Sequence, residues 1–556
     1  MNKFAVSLLS VSIAFALQPA FAAPPKAPTF DPRRLSEEVK VLASDEFEGR
    51  GPATAGEVKT IDYVVAQMKE AGLKPGGDMK DGQRLWTQAV PLLRAEITGT
   101  PSLSVSEHGK PRALTQGEQI AVRAAMNGDK HVTIKDAPLV FAGYGVKAPE
   151  RNWDDFKGMD LKGKVIVVLI NDPDFETGQG DFGGKAMTYY GRWTYKYEEA
   201  ARQGAAGLLI VHETDPASYG WATVKNSNTN TMFDVVRDDP RAVHAPLEGW
   251  IQRDFAVDLF KQAGLDFDAL KQQAQTRDFK PVELKGTSFS ADYDVDAKVI
   301  TSQNIAGRVD GSKRPDEYVI YSAHWDHLGV GQPDAKGDRI YNGAVDNATG
   351  TAALIEMGRA FAHAKKKPER SLVFLAVTAE EKGLLGSEYY ASKPLYPLGK
   401  TVGVINTDAL DPHGPARNFN ISGSAKLDLL DQLVATAAKW DVAYSPDPKP
   451  EAGHFFRSDH FPFAKRGVPA ISFGSGNDLV DGGVEAGKKF EEVYVAERYH
   501  QPADQWEPTW SFTGMARDLQ ILYTVGSDLA NSAQWPNWAQ DSEFRAARDA
   551  SAGDRK

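Results

Sequence analysis

At 556 residues the chain is too long for one ordinary hydrophobic core, and 42% hydrophobic with 25% charged residues excludes a disordered or fibrous polypeptide. A formal charge of -11, from 64 basic and 75 acidic residues, removes the electrostatic reason to expect nucleic acid or an anionic membrane as the main partner. The absence of cysteine excludes disulfide staples and lipid attachment through a thiol, so any metal site must be built from His, Asp and Glu.

The opening "MNKFAVSLLSVSIAFALQPAFA" reads as an export signal over residues 1–22: Lys3, an apolar stretch over 4–17, then Ala20-Phe21-Ala22 as a small-x-small cleavage pattern. The apolar run falls short of the about 20 residues of a spanning helix, so the expectation is a periplasmic or secreted protein with no stable membrane insertion once the signal is removed. Residues 23–129 begin with two helical patterns, over 35–42 and 56–71, the second closed by Gly72. Between them "EFEGRGPATAG" is a loop by its glycines and Pro52.

From 130 to 285 short apolar runs such as "APLVFAGYGV" and "GKVIVVLIND" alternate with polar, Gly-rich loops, and "YKYEEAARQGAAGLLIVHE" reads as a helix leading into a strand. This texture predicts an inserted β-rich domain acting as a lid or recognition module. From 286 to 535 strands and helices alternate: "EYVIYSA", "RSLVFLAVTA", "TVGVINTDA" and "GVPAISFG" as strands, "GTAALIEMGRAFAHA" and "AKLDLLDQLVATAAKW" as helices. The expected fold class is α/β, a mixed, largely parallel sheet flanked by helices. Residues 536–556, ending "SEFRAARDASAGDRK", read as a flexible tail.

Chemistry gathers where the apolar runs stop, as it does at the carboxyl ends of strands in open α/β sheets. "AHWDH", "TAEE", "NTDA" and "YHQPADQ", with the loop "YNGAVDNATG", supply His324, Asp326, Asp346, Glu380, Glu381, Asp408 and His500. So many clustered carboxylates repel one another unless a cation sits among them. Two zinc ions bring +4, and three ligating carboxylates with one hydroxide bring -4, which lets a low-dielectric pocket hold the group without an uncompensated charge. Residues two apart on a strand face the same side, so His324 and Asp326 stand together, and Asp326 is expected to take the second ring proton of His324.

"HWDH", "GAVDNATG", "TAEEKGLLGS", "NTDA" and "YHQPAD" resemble, in order, five blocks of the secreted di-zinc aminopeptidase family, which also includes glutamate carboxypeptidases. The likeness covers about 298 to 530 and the opening "LASDEFEGRGPATAGE"; the stretch with "GMDLKGKVIVVLI" and "EEAARQGAAGLLIV" is similar to the protease-associated domain found inside such enzymes. The resemblance implies that His324 and Asp408 bind one zinc, Glu381 and His500 a second, that Asp346 bridges them and that Glu380 is the general base. It also implies a cis Asp346-Asn347 bond. The chemistry it implies is hydrolysis of N-terminal residues from peptides by a hydroxide held between two zinc ions about 3.5 to 4 Å apart, with Glu380 passing the water proton to the leaving amine.

Neighbouring Glu380 and Glu381 cannot both face the site from a regular strand, so the chain is expected to turn at "AEEKG", with Gly383 permitting it. His327 is read as an outer hydrogen-bonding group and Asp504 as a cap or supporting residue. In "HFFRSDHFPF", Arg457 and Asp459, with Tyr499 beside His500, are candidates for substrate binding. Carboxypeptidase-type or dipeptidase cleavage on the same site, a one-zinc glutaminyl cyclase and a non-enzymatic receptor-like relative are the alternatives. Oligomeric state is left open.

Overall fold

A computed structural model describes residues 27–555; the expected export signal lies outside the described residues. Among the described residues no helix is long and apolar enough to cross a membrane. The strands Ala470–Ser475, Thr401–Thr407, Arg314–His324 and Arg370–Val377 lie side by side, parallel, in that order. Runs such as "RSLVFLAV" and "TVGVINT" are buried at every position, the signature of strands covered on both faces. Helices Gly350–Ala362 and Thr513–Asn531 pack on them. The two predicted N-terminal helices form as Pro32–Leu42 and Ala55–Glu70. The first is started by Pro32 and by Asp31, whose carboxylate accepts from the Arg33 amide.

One strand, Val282–Val309, joins this sheet to a second set. Its end, from Ile305 to Val309, runs antiparallel to Arg370–Val377, while its beginning pairs with His131–Phe141. Beyond that strand Val165–Leu169, Gly207–His212 and Leu247–Gln252 continue in parallel, with helix Trp193–Arg202 between the first two in sequence and helix Arg253–Gln262 after the last. A core of its own, including Leu139, Phe141, Val167, Leu209, Phe260 and Phe289, fills this half.

Two regions differ from the sequence reading. The second half carries more helix than a β-rich domain suggests, beyond the helix read before Gly207–His212, and it begins well before residue 130: strand Thr87–Glu107 pairs along Val282–Val309, and Leu103, Val105, Leu114 and Ile120 share the second core. That strand is half exposed and broken by Pro91, Gly99 and Pro101, so it lacks the apolar run that marks a buried strand. The C-terminal residues, expected as a loose tail, form helix Arg545–Ala550. Buried Trp538 and Phe544 pack against Phe455, and the Arg548 guanidinium donates to the carbonyls of Thr401 (3.0 Å) and Val402 (3.4 Å). Two aromatic anchors and one buried arginine hold down a stretch whose composition is otherwise polar.

A charge network ties the second half to helix Leu385–Ser392. Glu388 on that helix meets Arg237 at 3.2 Å and Arg466 at 2.7 Å; Arg237 also pairs with Asp234 at 2.7 Å. His244 sits between Asp234 (2.8 Å) and Glu248 (2.9 Å). Burial lowers the proton affinity of His244, but Glu248 and Asp234 overcome it and bring its pKa up to about 9. The folded value lies above the ordinary 6.5, so this stabilisation is complete below about pH 6.5 and is lost as pH rises through 9. The melting temperature of the wild type is therefore expected to fall between those limits, and the deficit of a His244→Gln variant measured at pH 6 should shrink by pH 9.5; an equal deficit at both would refute the assignment.

Candidate metal centre

The parallel strands deliver their side chains at one edge. His324 is the last residue of its strand, and Asp408 follows Thr407 at the end of the next. The strand Arg370–Val377 runs out into Thr378 and Ala379, then turns through Glu380, Glu381 and Lys382. Ala379, Gly383 and Leu384 all take positive φ there (53°, 112° and 62°), the turn expected from the two adjacent glutamates. Asp346 lies in an irregular turn before helix Gly350–Ala362, and the Asp346-Asn347 bond is cis. Gly343 opens that turn at φ 57°, where a Cβ would come within 2.6 Å of the His327 ring.

Four distances define the centre. His324 Nε2 stands 3.1 Å from Asp408 Oδ1 and 3.2 Å from Asp346 Oδ1; His500 Nε2 stands 3.3 Å from Asp346 Oδ2 and 3.2 Å from Glu381 Oε2. For a tetrahedral zinc with bonds of about 2.0 Å, neighbouring ligand atoms are separated by about 3.3 Å. Both half-sites have this spacing, and Asp346 gives one oxygen to each. The donor set of imidazoles and carboxylates, all from His, Asp and Glu, suits zinc.

The surroundings hold these groups in place. His324 Nδ1 lies 3.1 Å from the backbone carbonyl of Asp326, to which it donates, leaving Nε2 directed at the carboxylates. Asp504, expected to be a supporting residue, is fully buried and accepts from the amides of Val345 (3.1 Å) and Asp346 (3.2 Å). Asn347 donates to Thr407 O at 3.1 Å and accepts from Gly350 N at 2.8 Å, tying the Asp346 turn to the neighbouring strand. Ser458 donates to Asp408 Oδ2 at 2.6 Å.

Burial acts against the Asp346 charge, but hydrogen bonds from His324 and His500 hold its carboxyl well below the usual range. Glu381 is held down to about 2 by His327 and His500, against burial and the Asp346 charge. Glu380 goes the other way: burial and the nearby Asp408 and Glu381 charges outweigh His324 and raise it well above an ordinary carboxyl. It makes no side-chain hydrogen bond among the described residues and lines the cavity, so its oxygens are free to exchange a proton.

Three expectations need correction. The carboxylate of Asp326 does not take the His324 ring proton: Oδ1 is 3.8 Å away and instead accepts the Glu380 amide at 3.1 Å. The strand ends at His324, so the two-residue alternation no longer applies at 326, and the backbone carbonyl does the orienting. Asp459 does not reach substrate, because it is fully buried beneath Ser387, whose hydroxyl donates to it at 2.6 Å. His327 is closer in than expected, with Nδ1 at 2.6 Å from Glu381 Oε1. His327, Asp346 and Glu381 also form a group compact enough for an ion. Nδ1 of His327 and Oε1 of Glu381 make no hydrogen bond among the described residues, so His327 stands beside His500 as a second candidate ligand for an ion at Glu381. The sequence reading passed over Ser458 and Arg50; Arg50 Nε donates to Trp325 O at 2.9 Å.

The centre opens into a cavity of about 360 Å³. Glu380, Glu381, Tyr499 and His500 form one wall; Arg123, Arg192, Trp193 and Phe233 from the second half form the other, and Arg457 also borders it. Tyr499 is 45% exposed and stacks on His500 with ring centroids 3.9 Å apart.

Residues 304–524 match Peptidase family M28. The chain is similar to mouse "Aminopeptidase NAALADL1", 38% identical over 113 residues, covering 19% of this chain and 14% of the mouse protein. It is 27% identical over 386 residues to the Caenorhabditis briggsae "Glutamate carboxypeptidase 2 homolog", covering 58% and 47%. The chain thus spans less than half the length of these curated relatives. Among solved structures it is similar to an aminopeptidase from Aneurinibacillus sp. strain AM-1, at 18% identity and a TM-score of 0.47, over 91% of this chain and 95% of that one.

A bridging Asp346 would make an Asp346→Ala variant lose both of two ions, whereas Asp408→Ala would keep one. Metal analysis of dialysed protein checks this; retention of two ions by Asp346→Ala would exclude the bridge.

Proposed function

We propose, from the match of residues 304–524 to Peptidase family M28, that the chain is an exported two-zinc exopeptidase that removes N-terminal residues from peptides. The observation that carries this reading is the pair of half-sites with ligand spacings of 3.1 to 3.3 Å joined at Asp346. His324, Asp346 and Asp408 would hold one ion, and Asp346, Glu381 and His500 the other. When bound, the ions supply an acidified water and polarise the scissile carbonyl.

The chain's own groups do the rest. Glu380 takes the proton of that water and returns it to the leaving amine, work for which a carboxylate that lines the cavity and makes no side-chain hydrogen bond among the described residues is suited. The backbone of Asp326 keeps His324 in the tautomer that ligates. The second half, read as a protease-associated module over 130–285, walls off the cavity and limits how much polypeptide enters, which fits attack at a chain end. The leader over residues 1–22 supports export.

A second reading, carboxypeptidase-type cleavage, has one observation in its favour. Arg192 lines the same cavity with 8% exposure and no side-chain hydrogen bond or acidic partner among the described residues, and Arg457 stands nearby. Amino-acid anilides assayed beside N-blocked peptides separate the two. Hydrolysis of the anilides is expected, and activity confined to the blocked set would transfer the assignment to the second reading. Glu380→Gln should lower kcat by about 10²- to 10⁴-fold with metal content unchanged, and wild-type turnover in that variant would sink the proposed role of Glu380.

A further inference from the structure

We infer that Arg50 is a positioning residue for the metal centre, a clamp that sets the loops carrying His324 and Asp346 at their mutual distance. This rests on the two-ion reading of the site. Arg50 belongs to the N-terminal loop "EFEGRG", far from the centre in sequence, yet it is 1% exposed. Its guanidinium donates from Nε to Trp325 O at 2.9 Å, from Nη1 to Asn342 O at 2.6 Å and Leu42 O at 2.8 Å, and from Nη2 to Gly343 O at 2.7 Å. Its own carbonyl accepts the His327 amide at 3.3 Å. The side chain thus grips the residue after His324 and the turn before Asp346 at once.

The surrounding backbone is shaped for that grip. Glu48, Gly49 and Arg50 take φ of 50°, 64° and 52°, and a Cβ on Gly49 would stand 2.5 Å from the carbonyl oxygens of both Gly329 and Tyr341. Consecutive left-handed residues are costly and persist only where surroundings over-determine them. The turn is therefore seated directly on the backbone of both loops. Asp45 adds a further hold, accepting from Asn342 Nδ2 at 2.9 Å.

A buried guanidinium is normally matched with a carboxylate. Among the described residues Arg50 has no ion pair; its bonds all go to carbonyls, and Asp504, Asp326, Asp346 and Glu381 act on it only through space. The planar fork is what the geometry uses, since four acceptors on three separate segments are reached by one rigid group. Lysine carries the same charge on a single nitrogen and cannot span them. Arg50→Lys therefore separates position from charge.

The test is zinc affinity by chelator competition on folded wild-type and variant protein, with the visible spectrum of the cobalt-substituted forms as a reporter of ligand geometry. Arg50→Lys should bind zinc about 10- to 100-fold more weakly, the loss typical of supports behind ligands, with an altered cobalt spectrum and a fall in kcat rather than a rise in KM. Asp45→Ala, which removes one exposed hold on the same turn, should shift affinity the same way by about 3- to 10-fold. Wild-type zinc affinity and spectrum in folded Arg50→Lys would overturn the inference; if that variant does not fold, unchanged affinity in Asp45→Ala overturns it. A wild type that binds fewer than two zinc ions refutes the two-ion reading instead, and the comparison of variant with wild type still decides the role of Arg50.

Discussion

Asp346, Glu381 and Asp408 are brought together in a cleft largely shut off from water, and among the described residues no arginine or lysine pairs with any of them. Carboxylates so placed repel one another strongly, and imidazoles alone answer only part of the charge. The arrangement is intelligible as a set of ligands for a cation. Much of the nearby structure serves to hold like charges at separations they would not choose for themselves.

The holding is done mainly by neutral backbone. Strand ends set the height of His324 and Asp408, and the left-handed residues around Glu380 swing two adjacent glutamates to different tasks. Asp504 gathers the amides of the Asp346 turn, and Ser458 fixes the outer oxygen of Asp408. Bonds to amides and carbonyls orient the ligands without cancelling the charge that a cation needs to find. On the far side of the cavity Asp234, Glu248 and Glu388 are matched with His244, Arg237 and Arg466, whereas Arg192 and Arg457 have no acidic partner among the described residues.

The catalytic half was legible because its signals are local. An apolar run that stops on His324 or Asp408 announces a strand end with chemistry, and the helix over 350–362 follows from its spacing. The sequence did not disclose what depends on contacts across the fold. Asp326 looked like the partner of His324 because alternation was extended one step past the end of the strand. Asp459 looked available to substrate because burial beneath Ser387 is set by a helix far away in the chain. Arg50 sits in a glycine-rich loop whose composition suggests only a turn, and its acceptors are carbonyls, which every residue possesses. The long strand Thr87–Glu107 was missed for a similar reason: its stability lies in a partner strand about two hundred residues on.

That pairing has an architectural meaning. Thr87 and Ile305 are directly opposite rungs of one ladder, so the polypeptide departs from the catalytic sheet and re-enters it at neighbouring positions. Whatever intervenes hangs from a stem already closed, and the entropy of joining its two ends is charged to the ladder rather than to the sheet. Such a joint lets the outer body be swapped, enlarged or trimmed over evolutionary time while the ion-binding edge keeps its shape. It also makes the stem a lever: tilting the outer body must flex the paired strands Thr87–Ala95 and Ala297–Ile305.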